Sequence, residues 1–393
     1  MDEILNLPIK QMPGLSFPCS CGKTHSFPME YFSFGSGVLP EIRNAAALHP
    51  EAAVFLFADE NTDRIAGQTV RGILEEAGRD VQYYVFPAEK DHDLFPDETS
   101  LGRILINMRK DTGLLIGVGS GVINDLGKYA SLVTGIPHMI VATAPSMDGY
   151  VSNSSSITCE NRKLSVPTVL PRAVIGDTDI LMKAPLPMIQ SGFGDMLGKL
   201  TALADWKLAQ ICAGEYYCTT TAQLVRNCLD PILEHVSGIA EREEPAIQYL
   251  IQGLVQCGVA MSIVGLSRPA SGAEHMLSHY WEMEFHEKGL PIHFHGTKVG
   301  LATPIIARLF EKLKEYLPNE VTDIAPSSDF VKTCLTMAGL PVHPEMVGVD
   351  RKLFIRTLKE AYTVRKRYSI LQFAVEAGKI DRLAEELAEE YYG

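Results

Sequence analysis

Basic residues are in deficit in this chain: 35 Lys and Arg stand against 48 Asp and Glu, a net charge of −13 over 393 residues. That balance disfavours a general attraction to nucleic acid or anionic lipid, so an anionic ligand must be held by local groups. A disulfide framework is also missing. Cys19 and Cys21 are close together, and the other six cysteines are scattered through apolar segments, the usage of a reducing compartment. Residues 1–10 lack the basic-then-apolar pattern of a secretory leader, and no clean apolar run of bilayer-spanning length stands out. The segment that comes to attention, 129–147, contains no charged residue but is broken by Gly135, Pro137 and Pro145. These absences predict a cytoplasmic protein with neither a nucleic-acid partner nor membrane insertion. No internal repeat of fixed period is visible either.

What is present is ample apolar material, 46% of the residues, enough for a buried core of ordinary density. From about residue 32 to 179, short apolar or β-branched runs alternate with amphipathic stretches, the pattern of parallel strands joined by helical crossovers. Candidate strands are 53–58, 81–86, 114–118 and 138–142, whose carboxyl ends should line one crevice. After Pro187 the texture becomes helical, in 194–211, 220–234, 245–266 and 298–316, and the Glu- and Leu-rich tail 379–392 reads as a surface helix. The division predicted is an N-terminal extension (1–31), an α/β domain (32–183) and a helical domain (184–393).

Two groups of residues carry chemistry. In the α/β half, Gly119-Ser120-Gly121-Val122-Ile123 follows a candidate strand and opens a helix, where glycines and helix-terminal N–H groups suit a pyrophosphate; a bare tight turn explains the run equally well. Asp59 closes the first strand as a ribose ligand or a helix N-cap. The hydroxyl-rich loop containing Thr143, Ala144, Pro145, Ser146, Asp148 and Ser152 follows the fourth, and Asp148 is a candidate for substrate binding or proton relay.

In the helical half, five of the 11 histidines fall in a window of 21 residues, where even spreading would put roughly 0.6. His275 and His279 are one turn apart on a helix face, and His295 enters the next helix after Pro291. A catalytic divalent metal wants about three N/O ligands, and Asp195 is the best acid to complete the set. Lys199 lies one turn beyond it, as an exposed ion pair or something more. Gly194 and Gly198 weaken that helix, a cost easier to understand if something approaches closely. Near the start, Cys19, Cys21 and His25 offer soft ligands for zinc, although a plain thiol hairpin is the default and a fourth ligand is not obvious.

Taken together, these motifs resemble the bacterial glycerol-1-phosphate dehydrogenases of the iron-containing alcohol dehydrogenase and glycerol dehydrogenase superfamily, from about residue 32 into the helices after His295. The resemblance implies a Rossmann-like nucleotide domain, an all-α domain of the dehydroquinate synthase-like type, and a cleft holding NAD(H) or NADP(H) and one divalent metal, zinc or nickel ahead of iron. It makes Asp195, His275 and His295 the metal ligands, and Asp148, Asp195 and His279 substrate contacts. Asp148, His279 and Lys199 become the catalytic group, and Asp59, Gly119 to Ile123, Thr143 to Ser146 and Ser152 the cofactor contacts. His286, His293 and the Cys19–His25 segment receive no role from it.

The reaction it implies is reversible reduction of dihydroxyacetone phosphate to sn-glycerol 1-phosphate by a homodimer. Lys199 would complement the phosphate. Alternatives are a glycerol or polyol dehydrogenase acting on a free substrate, a dehydroquinate synthase-like cyclase, or a non-catalytic sensor.

Overall fold

Six runs of apolar and aromatic residues pair into one parallel sheet in a computed structural model that describes residues 2–88, 94–160 and 162–393. A small antiparallel hairpin, β1 (Ser16–Pro18) and β2 (Thr24–Ser26), precedes them. The sheet strands are β3 (Tyr31–Gly35), β4 (Ala53–Asp59), β5 (Val81–Phe86), β6 (Thr112–Gly119), β7 (His138–Ala142) and, after a second hairpin of β8 (Ser154–Cys159) and β9 (Arg162–Pro167), β10 (Ala173–Asp177). Their order is β3-β10-β7-β6-β4-β5. Every residue of β7 and β10 is buried, which is why these strands read as continuous apolar runs and not as alternations. Phe55 and Phe57 on β4 are fully buried, each contributing about 1.5–3 kcal/mol by removal from water.

The helices that follow strands in this unit include α1 (Gln68–Glu76), α2 (Glu98–Asn107) and α3 (Gly121–Thr134). The last is stopped by Gly135, which takes the left-handed conformation at its C-cap. The four strands expected from the sequence are all present. Two more, β3 and β10, were not foreseen; they pair with each other from Ala173↔Tyr31 to Asp177↔Gly35, a partnership no local pattern announces.

The chain continues through α4 (Leu186–Ala213), α5 (Thr219–Glu234), α6 (Glu244–Val264), α7 (Ala273–Glu287), α8 (His295–Leu313), α9 (Ser328–Met337), α10 (Arg351–Glu360), α11 (Ile370–Glu376) and α12 (Ile380–Tyr392). Two compact units result: one holds the sheet together with residues 247–265, the other residues 186–246 and 266–393 plus Ser20–Gly22. The expectation that no apolar run of spanning length stands out is corrected at one place: among the described residues, Glu244–Val264 is a helix long and apolar enough to cross a bilayer, whereas 129–147 is divided among the end of α3, a turn and β7, as expected. Ile247, Leu250, Ile251, Leu254 and Val255 are buried, and Ile251 lies against Gly176 of β10, so α6 serves as a core helix of the sheet unit.

The helical unit is organised on α4, which is buried almost without interruption from Ile189 to Ala209. Helix α8 presses against it at glycines spaced four apart on both helices. A Cβ on Gly194 would lie 2.2 Å from the Gly296 carbonyl oxygen, and one on Gly300 would lie 2.8 Å from the Gly194 Cα. The close approach suspected from the sequence is therefore that of a second helix. A larger core, including Trp281, Leu301, Ile305, Phe354 and Leu387, joins α7, α8, α10 and α12 around this crossing.

Candidate active site

In the sheet unit, β6 ends at Gly119 and α3 begins at Gly121. Ile123 folds back over the turn so tightly that a Cβ on Gly119 would fall 2.4 Å from its Cγ1, and that requirement keeps the turn bare of side chain. Ser120 is the N-cap of α3 yet makes no side-chain cap; its hydroxyl instead shares a 2.7 Å hydrogen bond with Ser146. The first N–H groups of a 14-residue helix are thus left uncapped by their own N-cap side chain, and that arrangement fits a pyrophosphate.

Thr143 donates its N–H to the Gly119 carbonyl at 3.1 Å, and the Tyr150 hydroxyl donates to the Ala144 carbonyl at 2.6 Å. These bonds fix Thr143 to Ser146, with Pro145 between them, beside the glycine turn. Asp148 opens a 3-10 turn, Asp148–Val151, and is partly exposed. Ser152 is used inward: it accepts from the buried Lys128 Nζ at 3.1 Å and donates to the Ser154 carbonyl. Lys128 also donates to the Gly149 and Ser154 carbonyls and pairs with Asp125, so one buried ammonium pins the hydroxyl-rich loop. Asp59 is an N-cap: one carboxylate oxygen accepts from the N–H groups of Asn61 and Thr62, in a capping box with Thr62.

The helical unit brings together Asp195 from α4, His275 from α7 and His295 from the first turn of α8. One ligand atom from each lies within 4.8 Å of the others, and His275 Nε2 is 3.6 Å from an Asp195 oxygen. The glycine crossing creates this proximity, because Gly296 lets its neighbour His295 reach Asp195, and the Gly296 N–H is held by Ser191 Oγ at 3.1 Å. Lys298, buried, pairs with Glu282 and donates to the His293 carbonyl, which fixes the entry to α8. His279 completes the group, its ring centroid 5.6 Å from that of His295 and 6.4 Å from that of His275. His286 is exposed.

Electrostatics suits a cation among these side chains. Burial alone would raise the Asp195 pKa, but the Lys199 ammonium and the hydrogen bond with His275 hold it well below the usual carboxylate range. The Lys199–Asp195 pair, at 2.6 Å, is wholly buried and not the exposed ion pair weighed from the sequence; α4 has no solvent face at that point. His295 is pushed down to about 3, chiefly by burial, and so presents a neutral imidazole, the form that ligates a metal. His275 is oriented from behind by Glu274, whose carboxylate lies 2.7 Å from Nδ1 and leaves Nε2 toward Asp195. Such a carboxylate–histidine support is characteristic of metal-ligating imidazoles, and two nitrogens with one carboxylate oxygen form a donor set for a divalent transition metal.

Glu274 and Arg365 are the residues of this site that sequence reasoning did not single out. Glu274 accepts from Thr201 Oγ1 and the Gly272 N–H; its place beside His275 was the available signal. Arg365, from a loop 90 residues beyond His275, lies with Nη2 3.0 Å from His279 Nε2, and nothing in its local sequence points there. The Cys19–His25 segment forms the hairpin turn, with the Cys19 N–H donating to the Lys23 carbonyl at 2.9 Å and the His25 ring 2.7 Å from the Ile263 carbonyl.

A parallel sheet with a bare glycine turn at a helix start, together with a helical unit carrying an Asp–His–His group of which Asp195 and His275 are buried and His295 half-buried, defines the class of iron-containing alcohol dehydrogenases. The family described as "Iron-containing alcohol dehydrogenase" matches residues 33–185. Glycerol-1-phosphate dehydrogenase (NAD(P)+) of Halalkalibacterium halodurans is 33% identical over 93% of this chain and 98% of its own length. The enzyme of the same name from Geobacillus stearothermophilus is 32% identical over 94% and 98%. Among solved structures, maleylacetate reductase from Rhizobium sp. strain MTP-10005 has a TM-score of 0.70 at 16% identity, covering 93% of this chain and 97% of that one, a likeness of fold. The chain belongs to the glycerol-1-phosphate dehydrogenase family of the iron-containing alcohol dehydrogenases.

Proposed function

We propose that this protein catalyses the reversible, NAD(P)H-linked reduction of dihydroxyacetone phosphate to sn-glycerol 1-phosphate. The observation that carries the reading is the group of Asp195, His275 and His295, converging within 4.8 Å with Asp195 and His275 buried and His295 half-buried, in a chain whose relatives bear that activity in their names. A divalent cation held by these three residues would supply Lewis-acid polarisation of the ketone oxygen, and NAD(P)H the hydride.

The remaining work belongs to the side chains around them. Glu274 holds the His275 ring in one orientation, and Lys199 balances the charge of Asp195. Arginine can only donate, so His279 Nε2 accepts from Arg365 and the His279 proton resides on Nδ1. Burial, the neighbouring His295 and His275 rings and the Arg365 guanidinium hold His279 well below its ordinary pKa, keeping the ring neutral, with Nδ1–H available to the developing alkoxide. Asp148 is assigned the same substrate's hydroxyl. Gly119 to Ile123 and Thr143 to Ser146 are assigned the dinucleotide, with Asp59 favouring NADH over NADPH by repulsion. Zinc or nickel is placed ahead of iron for an Asp/His/His donor set. A homodimer is expected from the family likeness, and the scattered cysteine usage supports a reducing, cytoplasmic setting.

The test is NADH oxidation with dihydroxyacetone phosphate and with dihydroxyacetone, before and after chelation, with metal analysis of the same sample. Turnover confined to the phosphorylated ketone and abolished by chelation is expected. Preference for the free ketone would move the protein to polyol oxidation, and chelator-insensitive turnover would remove the metal from the mechanism.

A further inference from the structure

The loop between α10 and α11 contains Arg365-Lys366-Arg367, the only run of three basic residues in an acidic chain. Two of its neighbours in charge have partners: Arg268 is paired with Glu215, and Arg367 donates to Ser267 Oγ and the Ser271 carbonyl. Arg365 is different. It is partly buried, which pulls its pKa below the ordinary guanidinium value, and its one hydrogen-bond partner among the described residues is the neutral His279. None of the ion pairs among the described residues supplies it with a carboxylate. A guanidinium carries five N–H donors in a fork that matches phosphate oxygens. A half-desolvated cation without a counter-ion is a place where an anion is gained at little further desolvation cost. The same loop lines an open pocket of about 290 Å³ with Lys366, Arg367, Tyr362 and Tyr368.

Position adds a second argument. In a triose phosphate the phosphorus is three bonds from the carbonyl carbon, so a cation that reads it must stand close to the reacting ketone. Arg365 stands one imidazole away from His295. Lys199, the cation favoured from sequence, is fully buried and already bonded to Asp195 at 2.6 Å.

We propose that Arg365 receives the phosphate of the phosphorylated ketone and sets the preference for it over the free ketone. The assignment rests on the ketone-phosphate reading above. Lys366, which is exposed, and Arg367 add positive potential around the same pocket.

The experiment compares the wild-type holoenzyme with Arg365→Met and Arg365→Lys. It reads kcat/KM for dihydroxyacetone phosphate and dihydroxyacetone, protection of the melting temperature by inorganic phosphate, metal content, and the NADH/NADPH preference. The expected result for Arg365→Met is at least a 100-fold fall in the ratio of the two kcat/KM values. Phosphate protection should be lost with metal content retained, and Arg365→Lys should recover part of both. If Arg365→Met does not fold, Arg365→Lys carries the comparison, with a fall of at least 10-fold expected. An unchanged ratio in a variant that keeps its metal overturns the assignment, as does a change confined to the NADH/NADPH preference, which would give the anion to the cofactor. Absence of any preference in the wild type would instead defeat the underlying reading of the reaction.

Discussion

Glu274 decides which ring nitrogen His275 turns toward Asp195. Its carboxylate is buried and held by Thr201 and the Gly272 N–H, so it cannot swing away, and the His275 pKa is raised against burial by its bonds to Asp195 and Glu274. Replacing Glu274 by Gln keeps the shape and removes the charge behind the ring. Metal affinity of Glu274→Gln is expected to fall by about 10- to 100-fold, measured by competition with a chelator, with the melting temperature of the metal-free protein lowered less than by His275→Ala. An unaltered affinity would show that Glu274 only fills space. At this scale the candidate ligands were legible in the sequence, because histidines clustered far above chance and Asp195 was flanked by two glycines. Their supports were not. Glu274 is one residue from His275 and looks like any helix-surface acid, and Arg365 reaches His279 across 86 positions of chain.

The elements decide whether those residues meet at all. Gly194 and Gly198 on α4 face Gly296 and Val299 on α8, and the backbones approach because no Cβ intervenes. In Gly194→Ala the new methyl would sit 2.2 Å from the Gly296 carbonyl oxygen; backbone cannot yield as a side-chain tip can, so the helices must separate. A destabilisation of about 3 kcal/mol, at the upper end for overpacking, is expected in chemical denaturation. Metal content should fall with it, because Gly296 follows His295. The sequence pattern indicated that something approaches these glycines but carried no information on what. The same limit explains the strands. Runs at 53–58, 81–86, 114–118 and 138–142 were recognisable by composition, whereas β3 and β10 are five-residue strands whose identity as strands comes from pairing with each other. Helix α6 was legible as a helix at 245–266, but apolar composition reports burial without naming its cause, and a core helix of the sheet unit shares the composition of a membrane span.

At the scale of the whole molecule, imidazoles that the fold keeps neutral contribute to the loss of stability in acid. His138 begins β7, is fully buried, and neither ring nitrogen has a hydrogen-bond partner among the described residues; it is stacked on Phe57 with ring centroids 6.2 Å apart. Burial, with the Lys128 charge adding to it, pushes its pKa down to about 3 from 6.5. Between those values the unfolded chain binds a proton that the folded chain refuses. Stability is therefore complete above about pH 6.5 and is lost as pH falls toward 3, by on the order of 3 kcal/mol at pH 4 from this residue. His295 and His279, also depressed, act in the same direction in the metal-free protein, while His275, raised by Asp195 and Glu274, opposes them. His138→Leu isolates one contributor, since it replaces an unpartnered ring by an apolar side chain of similar volume in the sheet unit, which contains none of Asp195, His275 and His295. The melting temperature of metal-free His138→Leu should match or exceed that of the wild type at pH 7 and decline less steeply from pH 6.5 to 4. Identical slopes would remove His138 from the acid limb, leaving it to the histidines of the helical unit and to carboxylates held below their usual range, such as Glu41 and Glu284; saturating metal should then flatten the histidines' share in the wild type, because a bound cation keeps those rings unprotonated.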